Sequence, residues 1–284
     1  MDIARKPSSA YPFLSMSLVR LTLALLCGVL SCIGAEPAKK SAKVQPQPWG
    51  PWVEADFPFF SSILDARRDG LGKNNLTPRG IIIKLPHDTW ACFDTDLLRV
   101  SAVWRGKGVS DKALAPGSYL DPSRKTLGGQ FPAPQPEGKL WLGHAIIPGW
   151  QLSATVDQTD PRSPAPSPSE VGRGPLPTSL GQFQSIELVG KDVVLTYRVA
   201  DATIRELWKT SEHDGQIVIE RHLSVSAHAK DLLLVVGTRH QGPSQELDTG
   251  VTVSGPAELA HDDDFFAVKV PANTAAAALC VTLC

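Results

Sequence analysis

From Gly80 onward, apolar and polar residues alternate with a period of two, the repeat of half-buried strands. The stretch "GIIIKL" (80–85) reads as one strand, "PHDT" as a turn and "TWACFD" (89–94) as the next strand. Asp94, Thr95 and Asp96 supply turn chemistry. In "LLRVSAVW" (97–104), Leu98, Val100, Ala102 and Trp104 are expected on one face, with Leu97, Arg99, Ser101 and Val103 on the other. Short strands with tight turns predict an antiparallel meander. "LWLGHAII" (140–147) reads as a further strand after a Pro/Gly-rich loop. That loop is about 30 residues long, a length that usually marks a functional or mobile segment.

A second β pattern follows a Pro/Ser-rich stretch, residues 157–178, which reads as an extended linker or a long surface loop. "SIELV", "VVLTYRV", "TIRELW", "IVIERHLSV" and "LLLVVG" give five strands with hairpin-length turns. Val193, Leu195, Tyr197 and Val199 are expected to face inward. "FFAVKV" and "AALCVTL" add two more. The expected class is therefore all-β, made of antiparallel sandwich-like sheets with long Pro/Gly-rich loops. Residues 49–156 form a first β region and 179–284 a second. One short helix is expected near the mature N-terminus, where Ile63 and Leu64 precede a run of charges. The chain stops inside an apolar run at Cys284. That predicts either a last strand at a sheet centre or, the favoured expectation, the front part of a longer protein.

The N-terminal 35 residues stand apart. Arg20 precedes "LTLALLCGVLSCIGA", an apolar run shorter than the ~20 residues of a membrane span, so it reads as a secretory signal. Ala35 would be the last residue removed. Alternatively "GVLSC" resembles a lipobox, with Cys32 taking a lipid that would be the chain's one membrane link. Met16 would give a more usual basic start than Met1. Residues 36–48, "EPAKKSAKVQPQP", read as a flexible spacer.

Composition adjusts this picture only modestly. The 24 prolines and 23 glycines favour turns over helices. Lys plus Arg number 28 against 29 Asp plus Glu, a balance that speaks against nucleic-acid binding. Three cysteines remain beyond the signal. If "AAAALCVTLC" is a strand, Cys280 and Cys284 lie roughly 13 Å apart at 3.3 Å per residue. That exceeds disulfide reach, so at most one of them would pair with Cys92.

Several stretches, in order, carry a resemblance: "WVEADFPFFSSILDAR", "NLTPRGIIIKL", "WACFDTDLLRVSAVWRG", "PGSYLD", "LGHAIIPGWQ" and "GRGPLP…VVLTYRV". Together they resemble the uncharacterised N-terminal module, a domain of unknown function, of large exported planctomycete-type proteins. In that family the module precedes a sugar-dehydrogenase-like propeller and a c-type cytochrome domain. The resemblance implies an envelope location, in the periplasm or at the cell surface, and an association with haem-linked oxidation. This chain contains no Cys-x-x-Cys-His, so no haem or other cofactor is assigned to it. A cytochrome or dehydrogenase domain would be a partner in cis or in trans.

No residue is assigned a catalytic or metal-binding role. Cys92 could be a nucleophile, a metal ligand, half of a disulfide or a buried strand thiol, and the last is expected, because Asp94 and Asp96 oppose a thiolate. Asp94 and Asp96 could form a carboxylate pair or hold calcium, but a turn cap with Asp paired to Arg99 is favoured. His261 with Asp262 to Asp264 reads as a solvated loop. The tryptophans are expected mainly in the core. Trp104 and Trp150, beside Arg and Gln, are the best candidates for an exposed sugar-stacking platform, and His144 reads as a core or edge-strand histidine. Asp94, Asp96, Arg99, Trp104, His144 and Trp150 are thus the candidate ligand-binding residues. The chain lacks a phosphate loop, a Gly-x-Ser-x-Gly elbow and a His-Glu-x-x-His motif. The leading expectation is a non-catalytic binding or assembly module, with carbohydrate as the candidate ligand. A hydrolase using paired carboxylates and a structural fragment are the alternatives.

Overall fold

Turn chemistry sets the first sheet. In the computed structural model, β2 (Leu76–Leu85) and β3 (Thr89–Asp94) are joined by a tight turn in which His87 and Asp88 take φ of 59° and 56°. Pro86 O accepts from Thr89 N across it, closing a tight turn through two left-handed residues. The model describes residues 57–67, 75–110, 133–165, 172–213, 215–241, 245–246 and 249–284. The segment read as an export signal, Cys32, the spacer, Trp49 and Trp52 lie outside them.

β1 (Phe59–Asp65), β2, β3, β4 (Arg99–Val109) and β5 (Pro136–Gly143) make a five-stranded antiparallel meander in chain order. The short helix expected around Ile63 and Leu64 is instead part of β1, and the described residues contain no α-helix. Both side chains are buried; β1 pairs with β2 on either side of a bulge at Ile63, Ser62 with Gly80 and Leu64 with Thr77, and that pairing overrides any local helical preference. "LWLGHAII" is likewise corrected: β5 begins at Pro136 and ends at Gly143, leaving His144 to Ile147 outside it.

The expected alternation along β4 fails for a definite reason. Cys92 pairs with Ala102 but Phe93 pairs with Val100, so Ser101 is an extra residue in a β-bulge. Asn75 Nδ2 donates to the bulged Ser101 O at 2.9 Å. Beyond the bulge the faces exchange. Val100 packs with Val103 in the larger core, while Ala102 and Trp104 join Trp90 and Cys92 on the opposite face.

The later strands build two further sheets. β7 (Gly181–Val189), β8 (Asp192–Val199), β9 (Ala202–His213) and β10 (Gln216–Val225) form successive hairpins. β17 (Ala277–Leu283) then pairs between β10 and β14 (Val251–Ser254), completing six antiparallel strands. β6 (Trp150–Gln151), β11 (Leu232–Thr238), β16 (Phe265–Val270) and β15 (Glu258–Ala260) form a four-stranded sheet. β12 (His240–Gln241) and β13 (Gln245–Glu246) make a short ladder.

All three larger sheets face one core. Ile81, Phe93 and Val103 of the first meet Leu195 and Ile219 of the second and Leu234 of the third. The Pro/Ser-rich stretch is anchored to it at one end: Leu176 is buried there, and its N–H donates to Asp96 O. Val193, Leu195, Tyr197 and Val199 all point inward, as their parity predicts.

Gly149 fixes how the approach to β6 meets β4. A Cβ there would lie 2.3 Å from Leu98 O and 2.6 Å from Arg99 Cα, while Gly149 N donates to Leu97 O. We expect Gly149→Ala to cost about 1–3 kcal/mol, the usual penalty of overpacking. Urea unfolding measures it, and an unchanged midpoint would show that the two segments separate easily.

Candidate functional site

Three of the six candidate residues assemble at the end of β3. Asp94 Oδ1 accepts from the N–H of Asp96 and Asp94 Oδ2 accepts from Arg99 Nε at 3.0 Å. Arg99 Nη1 reaches on to the carbonyls of His144 and Ala145, at 3.0 and 2.6 Å. Asp96 turns away and pairs with Arg79. Burial, seconded by the charge of Asp94, holds the Asp96 carboxyl above the usual range, with Arg79 opposing. Asp94, Asp96 and Arg99 are all buried, so the arrangement is a turn cap closed by an internal ion pair. It ties the β3–β4 turn to the segment after β5.

His144 lies against this cluster, fully buried. Nδ1 is 2.8 Å from Ala145 O and Nε2 is 3.1 Å from Val235 O. A neutral imidazole carries one N–H and cannot donate to both. Ala145 O is already supplied by Arg99, which favours the proton on Nε2. An imidazolium would satisfy both carbonyls, but burial and the nearby Arg99 cation outweigh that gain, and the pKa is pushed down to about 3.

Trp104 and Trp150, the tryptophans placed nearest the surface by their neighbours, are 0% and 4% exposed. Burial is achieved because each indole N–H finds an internal acceptor. Trp104 Nε1 donates to Gly108 O, and its ring stacks on Trp90 with centroids 6.3 Å apart. Trp150 Nε1 donates to the Tyr197 hydroxyl at 3.1 Å. Neither offers a platform for a sugar ring.

Trp150 leads into a network that sequence reasoning missed. The Tyr197 hydroxyl donates to Glu206 Oε2 at 2.6 Å, and Arg221 Nε donates to Glu206 Oε1 at 2.8 Å. Burial, with the Glu206 charge, raises the Tyr197 pKa well above the usual value, so it stays a donor. The Arg221 guanidinium lies over the Trp208 ring, 5.1 Å from its centroid. A signal was present: Glu206 and Arg221 occupy the inward parity of β9 and β10, where their neighbours are Ile204, Trp208, Ile219 and Leu223.

Cys92, Cys280 and Cys284 are all free thiols. Burial pushes the Cys92 pKa up to about 12 despite a hydrogen bond involving Ser101, so it is an inert strand thiol. His261 and Asp263 are exposed, with 3.8 Å between Nε2 and Oδ1. Among the described residues no three His, Cys, Asp or Glu side chains gather as a metal cage.

Trp208 does border open space. A cleft of about 520 Å3 runs between the end of β2 and the β8–β9 ladder, walled by Lys84, Lys191, Asp192, Trp208, Lys209 and Thr210. Trp208 is 3% exposed, and neither its Nε1 nor Thr210 Oγ1 has a hydrogen-bond partner among the described residues. Lys209 Nζ lies 3.5 Å from Asp192 Oδ2. Lys84 and Lys191 bring further ammonium groups to the wall.

Residues 91–206 contain Asp94, Arg99, His144, Trp150, Tyr197 and Glu206, and this stretch is where a family model matches. No curated protein and no solved structure matches the chain. Over residues 91–206 the protein is similar to DUF6797, a domain of unknown function.

Proposed function

We propose that the protein is an exported, non-catalytic binding module of a haem-linked envelope oxidative system, and that it holds a carbohydrate bearing acidic groups in the Trp208 cleft. The observation that carries this reading is the cleft itself, where Lys84, Lys191 and Lys209 stand beside Trp208, whose buried Nε1 has no hydrogen-bond partner among the described residues. An unmade hydrogen bond at a buried donor costs about 1–3 kcal/mol. Nε1 is covered by protein, so a ligand oxygen reaches it and recovers that cost only when a wall side chain shifts, while the ammonium groups favour anionic substituents. Export rests on Arg20 and the apolar run after it. The oxidative link rests on the ordered motifs that resemble modules of cytochrome-bearing proteins. A binding role is favoured over hydrolysis because Asp94 and Asp96 are buried and engaged by Arg99 and Arg79, out of reach of a glycosidic bond.

Calorimetric titration of the purified chain with uronic-acid oligosaccharides and neutral ones of equal length tests it. Acidic chains should bind more tightly, with affinity falling as salt rises. Trp208→Phe keeps the ring and removes the N–H, and should weaken binding about tenfold, the weight of one hydrogen bond. Equal affinity for neutral chains, or indifference to both Trp208→Phe and Lys191→Ala, would reject the cleft. The haem link is tested in the DNA, by a Cys-x-x-Cys-His segment in the same frame or an adjacent gene.

A further inference from the structure

The six-stranded sheet turns its second face away from the core, and strand registry brings two metal-ligating side chains together there. His222 on β10 and Cys280 on β17 are direct cross-strand partners. Such partners have Cβ atoms about 4.5–5.5 Å apart. Both side chains line a groove of about 430 Å3, beside Leu207, Ser224, Ser254 and Arg205. His222 Nε2 lies 3.0 Å from Glu220 Oε2, two residues away on the same face. Arg205 is occupied by Glu187, at 2.8 Å.

We propose that Cys280 Sγ and His222 Nδ1 bind a borderline or soft cation, Zn2+ or Cu+, with water completing the coordination. Metal–sulfur and metal–imidazole bonds of about 2.3 and 2.0–2.1 Å fit across one cross-strand pair. Glu220 occupies the outer-shell position: a carboxylate on the second ring nitrogen fixes the tautomer and leaves Nδ1 as the ligand. Thiolate and imidazole together select zinc or copper over magnesium and calcium. Burial first, and then the Glu220 charge, raise the Cys280 pKa, while Thr282 lowers it. The free site is therefore a thiol, and binding releases its proton to solvent while the S–metal bond forms. Ser254, the register partner of Cys280 on β14, lines the same groove.

The test uses the reduced full-length chain and Cd2+ as the probe, with Zn2+ and Cu+ as competitors. One equivalent should give thiolate-to-metal charge-transfer absorption and protect Cys280 from alkylation, located by mass spectrometry, while Cys284 remains reactive. Cys280→Ser should abolish the signal, and His222→Gln should weaken binding at least tenfold. Glu220→Gln should weaken it about 10–100-fold. Cys284→Ser should change nothing. These side chains lie on the outer face, so the variants should keep the wild-type unfolding midpoint. Protection of Cys284 in place of Cys280, or full affinity in His222→Gln, would overturn the proposal. A lowered midpoint together with lost binding in His222→Gln is resolved by Cys280→Ala, which must also lose binding while keeping its fold.

Discussion

Glu206→Gln is expected to lower stability by about 3–5 kcal/mol, the loss seen when one partner of a buried ion pair is removed. Glu206 gives one oxygen to Tyr197 and the other to Arg221. Arg221 is 1% exposed, and its two Nη atoms have no hydrogen-bond partner among the described residues. Without the carboxylate, a cation stays in the core with only the Trp208 ring face against it. Denaturant unfolding should show a lower midpoint with an unchanged slope. The double variant Glu206→Gln/Arg221→Met should recover much of the loss, because an apolar replacement removes the stranded charge. A single variant near wild-type stability, or a double variant that loses the sum of both single losses, would mean that the pair is not coupled.

Acid should destabilise the protein well above the carboxylate range, through His144. Its pKa is about 3 when folded and about 6.5 when unfolded. Above pH 6.5 both states are neutral and the shift has no effect. As pH falls below 6.5, the unfolded chain takes up a proton that the folded chain refuses. Stability then drops by about 1.4 kcal/mol per pH unit until the folded ring also titrates. By pH 4.5 this amounts to about 2.7 kcal/mol relative to the high-pH plateau. Asp96 has the opposite sign, since a raised folded pKa favours the folded state as the carboxyl protonates; it offsets part of the loss at the acid end. Asp160, held low by Arg162 against its burial, adds to the loss only near its own titration range. Urea midpoints from pH 7 to 4.5 measure the slope. His144→Gln should flatten it even though it lowers the starting stability, and an equal slope in that variant would assign it elsewhere.

What was legible in the sequence follows from periodicity. β3 is read to the residue, because alternation ends where Asp94 begins the turn. The seven longer strands from "SIELV" onward are found because each is a β-rich run bounded by turn residues, whereas the short β12 to β15 were not legible. The inward set on β8 follows from parity alone. Periodicity failed where one residue was inserted: the bulge at Ser101 exchanges the faces of β4, and nothing local marks it. It failed again at Ile63 and Leu64, where Leu64 pairs with Thr77 of β2 and Ile63 sits at the bulge beside it. Exposure of Trp104 and Trp150 was misjudged because a polar neighbour in sequence says nothing about the layer packed above.

The candidate sites divide in the same way. Asp94 with Arg99 was readable because a turn cap and its counter-ion lie five residues apart. Glu206 with Arg221, the Trp208 cleft, and Cys280 with His222 join residues on different strands. Their meeting depends on registry, which a one-residue slip would undo. The sequence by itself determined the all-β class, most strand positions and the buried thiol, since these rest on local alternation and burial of apolar side chains. Only the tertiary structure decided which sheets share a core and which charges meet inside it, because those contacts arise from long-range pairing that no local pattern encodes.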